Sequence, residues 1–311
     1  MLCGAEKYEY ELVENWAMLP ESWSFRDVAG IAIDGKDRIY VLNRSDHPII
    51  VLDRNGDLVH SWGEGFFKRA HGSCIGSDNS IFCTDDGNHI VAKFTLDGQL
   101  LMTLGSPGQG SNSGYLQTFD SWERLTRIVR GAPPFNRPTG VSISPKGEIY
   151  VSDGYGNARI HKFSPDGKLL LSWGEPGGQP SQFRLPHSVR VDRRGRVWVV
   201  DRENHRIQIF DANGEFLTQW TDFVRPTDLF IDKNDTVYVS ELSMRVGIFT
   251  IDGKLLARWG NPGTKKEEAL FLAPHAIAVD SHGDIYVGET SMTVMKIDRG
   301  PKTIQKFRRT K

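Results

Sequence analysis

Leu185-Pro186-His187-Ser188-Val189 sets the reading of the whole chain, because its frame returns as Ala273-Pro274-His275-Ala276-Ile277 and, more loosely, as Arg69-Ala70-His71-Gly72-Ser73. Each histidine opens an apolar-alternating segment, and an acidic residue stands fourteen positions later: Asp201, Glu289 and Asp85. The same offset fits three further segments, with Ala29, Thr139 and Thr227 in the histidine slot and Asn43, Asp153 and Glu241 at the fourteenth place. Six copies of one register therefore run along the chain, and histidine fills the slot in the second, fourth and sixth.

Repetition at about forty residues, with four short alternating runs per unit, is the sequence form of a propeller blade. Unit three, for example, contains GVSIS, EIYVSD, ARIHKF and LLLSWG. The spacing predicts an all-β, six-bladed β-propeller over residues 1–311 as one domain. Asn55-Gly56, Asp97-Gly98, Asp166-Gly167, Asn213-Gly214 and Asp252-Gly253 all fall between the third and fourth runs. Such dipeptides supply the positive φ of a tight hairpin. Trp62, Trp173, Trp220 and Trp259, with Leu104 in the equivalent place, are expected to pack between blades. Unit six offers AIAVD, DIYVGE and TVMKID as strands, with TIQKF as a candidate last strand. Ring closure needs a strand to cover the open edge, and residues 10–16 are expected to supply it, beside or in place of 303–307. One link is long, the insertion 105–135. Its Trp122, Arg124, Arg127 and Arg130 suit a ligand-covering loop and suit equally a short surface helix.

Composition narrows the class. A chain of 311 residues, 39% hydrophobic, can bury a large core, while 32 glycines and 15 prolines favour turns over helices. The formal net charge of −1 offers no field for nucleic acid, although the last residues are locally basic. Cys3, Cys74 and Cys83 form no spaced framework, and no run has signal-peptide or membrane-span length. A cytoplasmic monomer with no membrane partner is the expectation.

Chemistry concentrates on one face. In a propeller the start of a first strand and the end of a second lie together, and alternate blades are related by a third of a turn, so His71, His187 and His275 should converge. Three imidazoles with an open fourth position form the ligand set of a catalytic zinc. The bland alternative is a histidine satisfied by structure, and His47, His89 and His205, which recur in the turn between second and third strands, are assigned to it. His60, His161 and His282 receive no role. The same face receives Arg44 and Arg202, suited to bidentate carboxylate recognition, and Tyr155, a candidate general base. For each of these the ordinary alternative is an ion pair, with Asp46 or Glu203, or simple packing.

Asn88-His89-Ile90 and residues 201–210, DRENHRIQIF, resemble the NHL repeat. The ordered set NRSDH, AHG, VSDGYGNARI, LPHSV, DRENHRIQIF and APHAI resembles the catalytic core of peptidyl-α-hydroxyglycine α-amidating lyase. The resemblance implies zinc on His71, His187 and His275, Tyr155 as base, and Arg44 and Arg202 on the substrate carboxylate, with a carbinolamide carbon–nitrogen bond cleaved to an amide and glyoxylate. Three departures follow. The aspartate that serves structural calcium in that family is here Ala276, the methionine two residues before the third histidine is Ala273, and Gly156 stands where a cysteine is expected. Calcium is therefore doubtful, and the substrate is a small or peptidyl α-hydroxy-amide or a ureidoglycolate-like compound. Two other readings compete: a metal-dependent hydrolase of the lactonase kind, and a non-catalytic NHL interaction platform.

Overall fold

The computed structural model describes residues 1–5, 8–117, 121–266 and 268–311, and the side chains of Ser121 and Trp122 lie outside that description. The register becomes five antiparallel sheets of four strands each in chain order and a sixth of five strands, three C-terminal and two N-terminal, a six-bladed β-propeller of all-β class. The chain divides into two compact units, Gly65–Arg225 and Met1–Glu64 with Pro226–Lys311. The first contains blades two, three and four, whose first strands, Ala70–Ile75, Pro138–Ile143 and Pro186–Val191, lie side by side. The second contains blades one, five and six, with Val28–Ile33, Pro226–Ile231 and Pro274–Val279 as first strands and the blade-six strand touching both others.

Burial grades across each blade. Second strands such as Ile149–Asp153 and Val197–Asp201 are buried throughout, whereas fourth strands such as Leu100–Leu104 and Phe216–Trp220 are largely open. A run with neither face in water is apolar on both, and each buried Val or Ile contributes roughly 1.5–3 kcal/mol. Two of the fourth-strand aromatics pack between blades, Trp259 stacking on Tyr10 at 5.5 Å and Trp173 meeting Phe210 of the next blade at 5.9 Å, whereas Trp220 meets Trp198 of its own blade at 5.0 Å. Two hairpin glycines explain the tightness. A Cβ on Gly214 would lie 2.9 Å from Trp173, and one on Gly167 2.9 Å from Leu104, and both glycines have positive φ.

Blade six is assembled differently from its sequence pattern. TVMKID (293–298), expected as the third strand, instead begins inside a short helix (Ser291–Met295), and the third strand is Ile304–Arg309. The N-terminal strand Tyr8–Val13 pairs with it, Tyr10 opposite Arg309 and Val13 opposite Lys306, and Leu2–Ala5 adds a fifth strand outside. Both candidates for the closing position are therefore used, side by side. Alternation alone did not separate the two C-terminal segments; partners on both edges decide for 304–309.

Candidate functional site

In all six blades the slot residue sits at a break in register. Pro186 pairs with Asp201 and Ser188 with Val200, leaving His187 as the extra residue of a bulge. The same shift brackets Thr139, Thr227, His275 and Ala29, and a wider one brackets His71. A bulge frees one side chain from the alternation of its strand and re-aims it. The fourteenth-place carboxylate holds the chain just before that bulge: Asp85 accepts the Lys68 and Arg69 N–H groups at 2.8 and 2.9 Å, Asp153 that of Asn136 at 2.8 Å, Asp201 that of Arg184 at 2.8 Å, and Glu289 those of Leu272 and Ala273 at 2.6 and 2.9 Å. Burial raises the carboxyl pKa of Asp85, Asp201 and Glu289 even against these bonds. In these four blades the acid of the register is thus a positioning group.

Hydrogen bonds then tie slot to slot. His71 Nδ1 lies 2.6 Å from the Thr139 carbonyl, and Thr139 Oγ1 lies 2.7 Å from the Pro186 carbonyl, the residue before His187. In the other unit Thr227 Oγ1 lies 3.0 Å from the Pro274 carbonyl, before His275, and His275 Nδ1 lies 3.0 Å from the Ala29 carbonyl. A carbonyl only accepts, so Nδ1 of His71 and of His275 carries the proton and Nε2 presents its lone pair. All three slot histidines are buried.

Tyr155 belongs to the unit with His71 and His187. Its turn is forced by two glycines: a Cβ on Gly154 would fall 2.2 Å from the Pro186 carbonyl oxygen, and one on Gly156 2.3 Å from Asn136 Oδ1. Between them the Tyr155 hydroxyl stands 3.0 Å from His71 Nε2 and 3.1 Å from His187 Nε2. The two imidazole centroids are 4.9 Å apart.

Three guanidinium groups surround the same ring. Arg69, Arg137 and Arg202 lie 5.3, 5.5 and 5.7 Å from the Tyr155 centroid. Buried Asp86 pairs with Arg69 and, at 2.8 Å, with Arg137. Glu203 Oε1 takes Arg202 Nε and Arg225 Nη2, each at 2.8 Å. Burial pushes the Glu203 carboxyl up, but Arg202 and Arg225 outweigh it and hold the group below the usual carboxylate range. Sequence reasoning found Arg202 and missed Arg69 and Arg137. The signal was available, since Arg69, Arg137 and Arg225 all stand two residues before the slot. Arg44, in the other unit, places Nη1 2.8 Å from Thr293 Oγ1 and 3.4 Å from Asp27 Oδ2.

The insertion meets this cluster through a residue not singled out from sequence. Tyr115 accepts from Arg137 Nη1 at 2.8 Å and donates to Gln117 at 2.6 Å, while Ser111 accepts from Asn136 at 2.9 Å. Ile128 anchors the segment in the core of blades three and four. Of the expected covering residues, Arg127 pairs with exposed Glu123 on the helix Ser121–Thr126, and the Trp122 side chain lies outside the described residues. The turn histidines act between blades: His89 Nδ1 accepts the Arg137 N–H at 3.1 Å and His205 Nδ1 the Arg225 N–H at 3.0 Å. His47 instead stacks on Trp23 and meets Glu64.

The slot donors fit a transition metal. Buried imidazoles whose Nδ1 protons are fixed by carbonyls present Nε2 as ligands of the kind zinc and related ions take. The family model described as the NHL repeat matches residues 135–163 and 183–210. This chain is an NHL-repeat β-propeller. It is 33% identical over 231 residues to NHL repeat-containing protein 3 of Homo sapiens, covering 70% of this chain and 61% of that protein. It is 28% identical over 265 residues to peptidyl-alpha-hydroxyglycine alpha-amidating lyase 1 of Drosophila melanogaster, covering 75% of this chain and 45% of that one. The chain thus spans less than two thirds of the length of either relative. Among solved structures a streptogramin B lyase superposes with a TM-score of 0.60 at 16% identity, over 98% of this chain and 89% of the other, a likeness of fold. Among the described residues no helix of this NHL-repeat propeller is long and apolar enough to cross a membrane.

Proposed function

We propose that this NHL-repeat propeller is a zinc-dependent carbon–nitrogen lyase that converts an α-hydroxyglycine-type carbinolamide to an amide and glyoxylate or a related aldehyde, with His71, His187 and His275 as ligands of one ion. The observation that carries the proposal is the Tyr155 hydroxyl, 3.0 and 3.1 Å from the Nε2 atoms of His71 and His187. A base beside two ligand nitrogens is beside any oxygen held there, and the moderate identity to an amidating lyase supports the same assignment. Zinc, when bound, supplies Lewis acidity toward the substrate hydroxyl.

The protein's own groups do the rest. Tyr155 accepts the hydroxyl proton, the carbon–oxygen bond becomes the aldehyde carbonyl as the carbon–nitrogen bond breaks, and the proton passes to the departing amide nitrogen. Atoms balance without oxidant or water. Arg202 and Arg44 are assigned to the substrate carboxylate. Ala276, directly after His275, supplies no carboxylate for the structural calcium that the resemblance implies. A net charge of −1 offers no field for nucleic acid and three free cysteines suit a reducing compartment, in keeping with a cytoplasmic enzyme; we take it as a monomer acting on a small or peptidyl substrate with no membrane partner.

The test is glyoxylate release from α-hydroxyhippurate, α-hydroxyglycine peptides and ureidoglycolate by zinc-loaded protein, with Tyr155→Phe alongside. The variant should lose about 10²–10⁴-fold in kcat and keep its zinc. Zinc-loaded wild type that releases nothing from any of the three would defeat the lyase reading, and protein that takes up no metal would favour the interaction platform.

A further inference from the structure

Four guanidinium groups, Arg69, Arg137, Arg202 and Arg225, share two carboxylates, Asp86 and Glu203, so positive charge is in excess beside Tyr155. The four are not equivalent in what they leave available. Arg137 is spent: Nη2 donates to Asp86, Nη1 to Tyr115 and Gln117, and its backbone N–H to His89. Arg225 donates to Glu203 and has no ring contact with Tyr155 among the described residues. Arg69 donates through Nη1 to Asp86, and Arg202 through Nε to Glu203. Among the described residues Nε and Nη2 of Arg69 and both Nη atoms of Arg202 have no protein partner, and the two guanidinium carbons lie 5.3 and 5.7 Å from one ring. Arg69 is 28% exposed and Arg202 11%, so both reach solvent while remaining sheltered.

We propose that Arg69 is a substrate-binding residue in addition to Arg202 and Arg44, and that with Arg202 it forms the part of the carboxylate seat beside Tyr155. Asp86 is the positioning residue that fixes Arg69, itself held by Arg137 and so by Tyr115 of the insertion. Two forks with donors to spare around one phenol suit a planar carboxylate, and water exclusion strengthens such charge-assisted bonds. An amide or ester in place of the carboxylate would leave those donors without an anion, which is a steep basis for discrimination. The specificity this predicts is for the free α-carboxylate. The assignment rests on the lyase reading for the identity of the ligand but is tested by binding alone.

The probes are hippurate and hippuramide, identical except for carboxylate against amide and neither able to react, titrated calorimetrically into zinc-loaded protein. Wild type should prefer hippurate by at least tenfold. Arg69→Ala should bring the two within twofold while zinc content and melting temperature stay near wild type, since Asp86 keeps Arg137. Arg225→Ala, which removes the same charge from the same register position, should keep the preference. A wild type without preference, an Arg69→Ala that keeps it, or an Arg225→Ala that loses it equally would each overturn the seat. Hippurate preference in a protein that cleaves no α-hydroxyglycine substrate would uphold the seat and defeat the lyase reading.

Discussion

The start of the first strand and the turn after the second carry the same residue to opposite ends. At the strand start His71 Nδ1 donates to the Thr139 carbonyl of the next blade, and at the turn His89 Nδ1 accepts the Arg137 N–H of that same blade. The pattern repeats with His275 donating to Ala29 and His205 accepting from Arg225. Both histidines bridge blades through the same ring atom, yet the partner fixes opposite tautomers. A donor Nδ1 leaves Nε2 with a lone pair for a metal, whereas an acceptor Nδ1 leaves Nε2 protonated while the ring is neutral. Proposed ligand and strut are distinguished by the polarity of one hydrogen bond.

Removing one of each breaks the comparison most sharply. His187→Ala should abolish metal uptake and glyoxylate release together, read as zinc per chain after dialysis and as turnover. His89→Ala should leave metal stoichiometry unchanged and cost about 1–3 kcal/mol of stability, because the Arg137 N–H loses its acceptor, read by urea unfolding. Metal lost equally from both would erase the distinction. A smaller effect is expected from the residue that carries the hydrogen-bond chain between slots. Thr139→Val keeps shape but removes the hydroxyl 2.7 Å from the Pro186 carbonyl, so His187 loses a support behind its backbone. Zinc affinity in a chelator competition should fall by about 10-fold, the low end for groups behind a ligand, with His187 still present. Unchanged affinity would make that chain of bonds ornamental to the metal.

Much of this was legible in the sequence because repetition multiplies a weak signal. One slot at one offset gave the six blades, the five hairpin glycines and the histidine alternation, and each recurs as a bulge, a positive φ and an inter-blade bond. The offset did not disclose what its acid does, since holding the N–H groups before the slot is a backbone contact without a side-chain pattern. Arg69 and Arg137 were overlooked for a related reason: candidates were sought after the second strands, and these two stand before the first. In blade six two alternating segments competed, and only pairing on both edges, which no local pattern encodes, selected Ile304–Arg309.

The finest test of the comparison is its dependence on pH. Burial, together with the positive charge of Arg137 and Lys68, lowers the His89 pKa against the opposing pull of Asp153 and Asp86. The folded protein therefore favours the neutral ring more than the unfolded chain does. Its contribution to stability is full above the unfolded value of about 6.5 and is lost as pH falls through the lower folded value. Raised carboxyls at Asp85, Asp201 and Glu289 act in the opposite sense, their ionised forms weakening the fold as pH rises through their folded values. They cancel when wild type is compared with His89→Gln, which keeps an acceptor for the Arg137 N–H but cannot titrate. The melting temperature of wild type should therefore fall more steeply than that of the variant as pH drops from neutral past about 6.5. Parallel curves would mean that His89 takes its proton without losing its bond, and the tautomer would no longer separate strut from ligand.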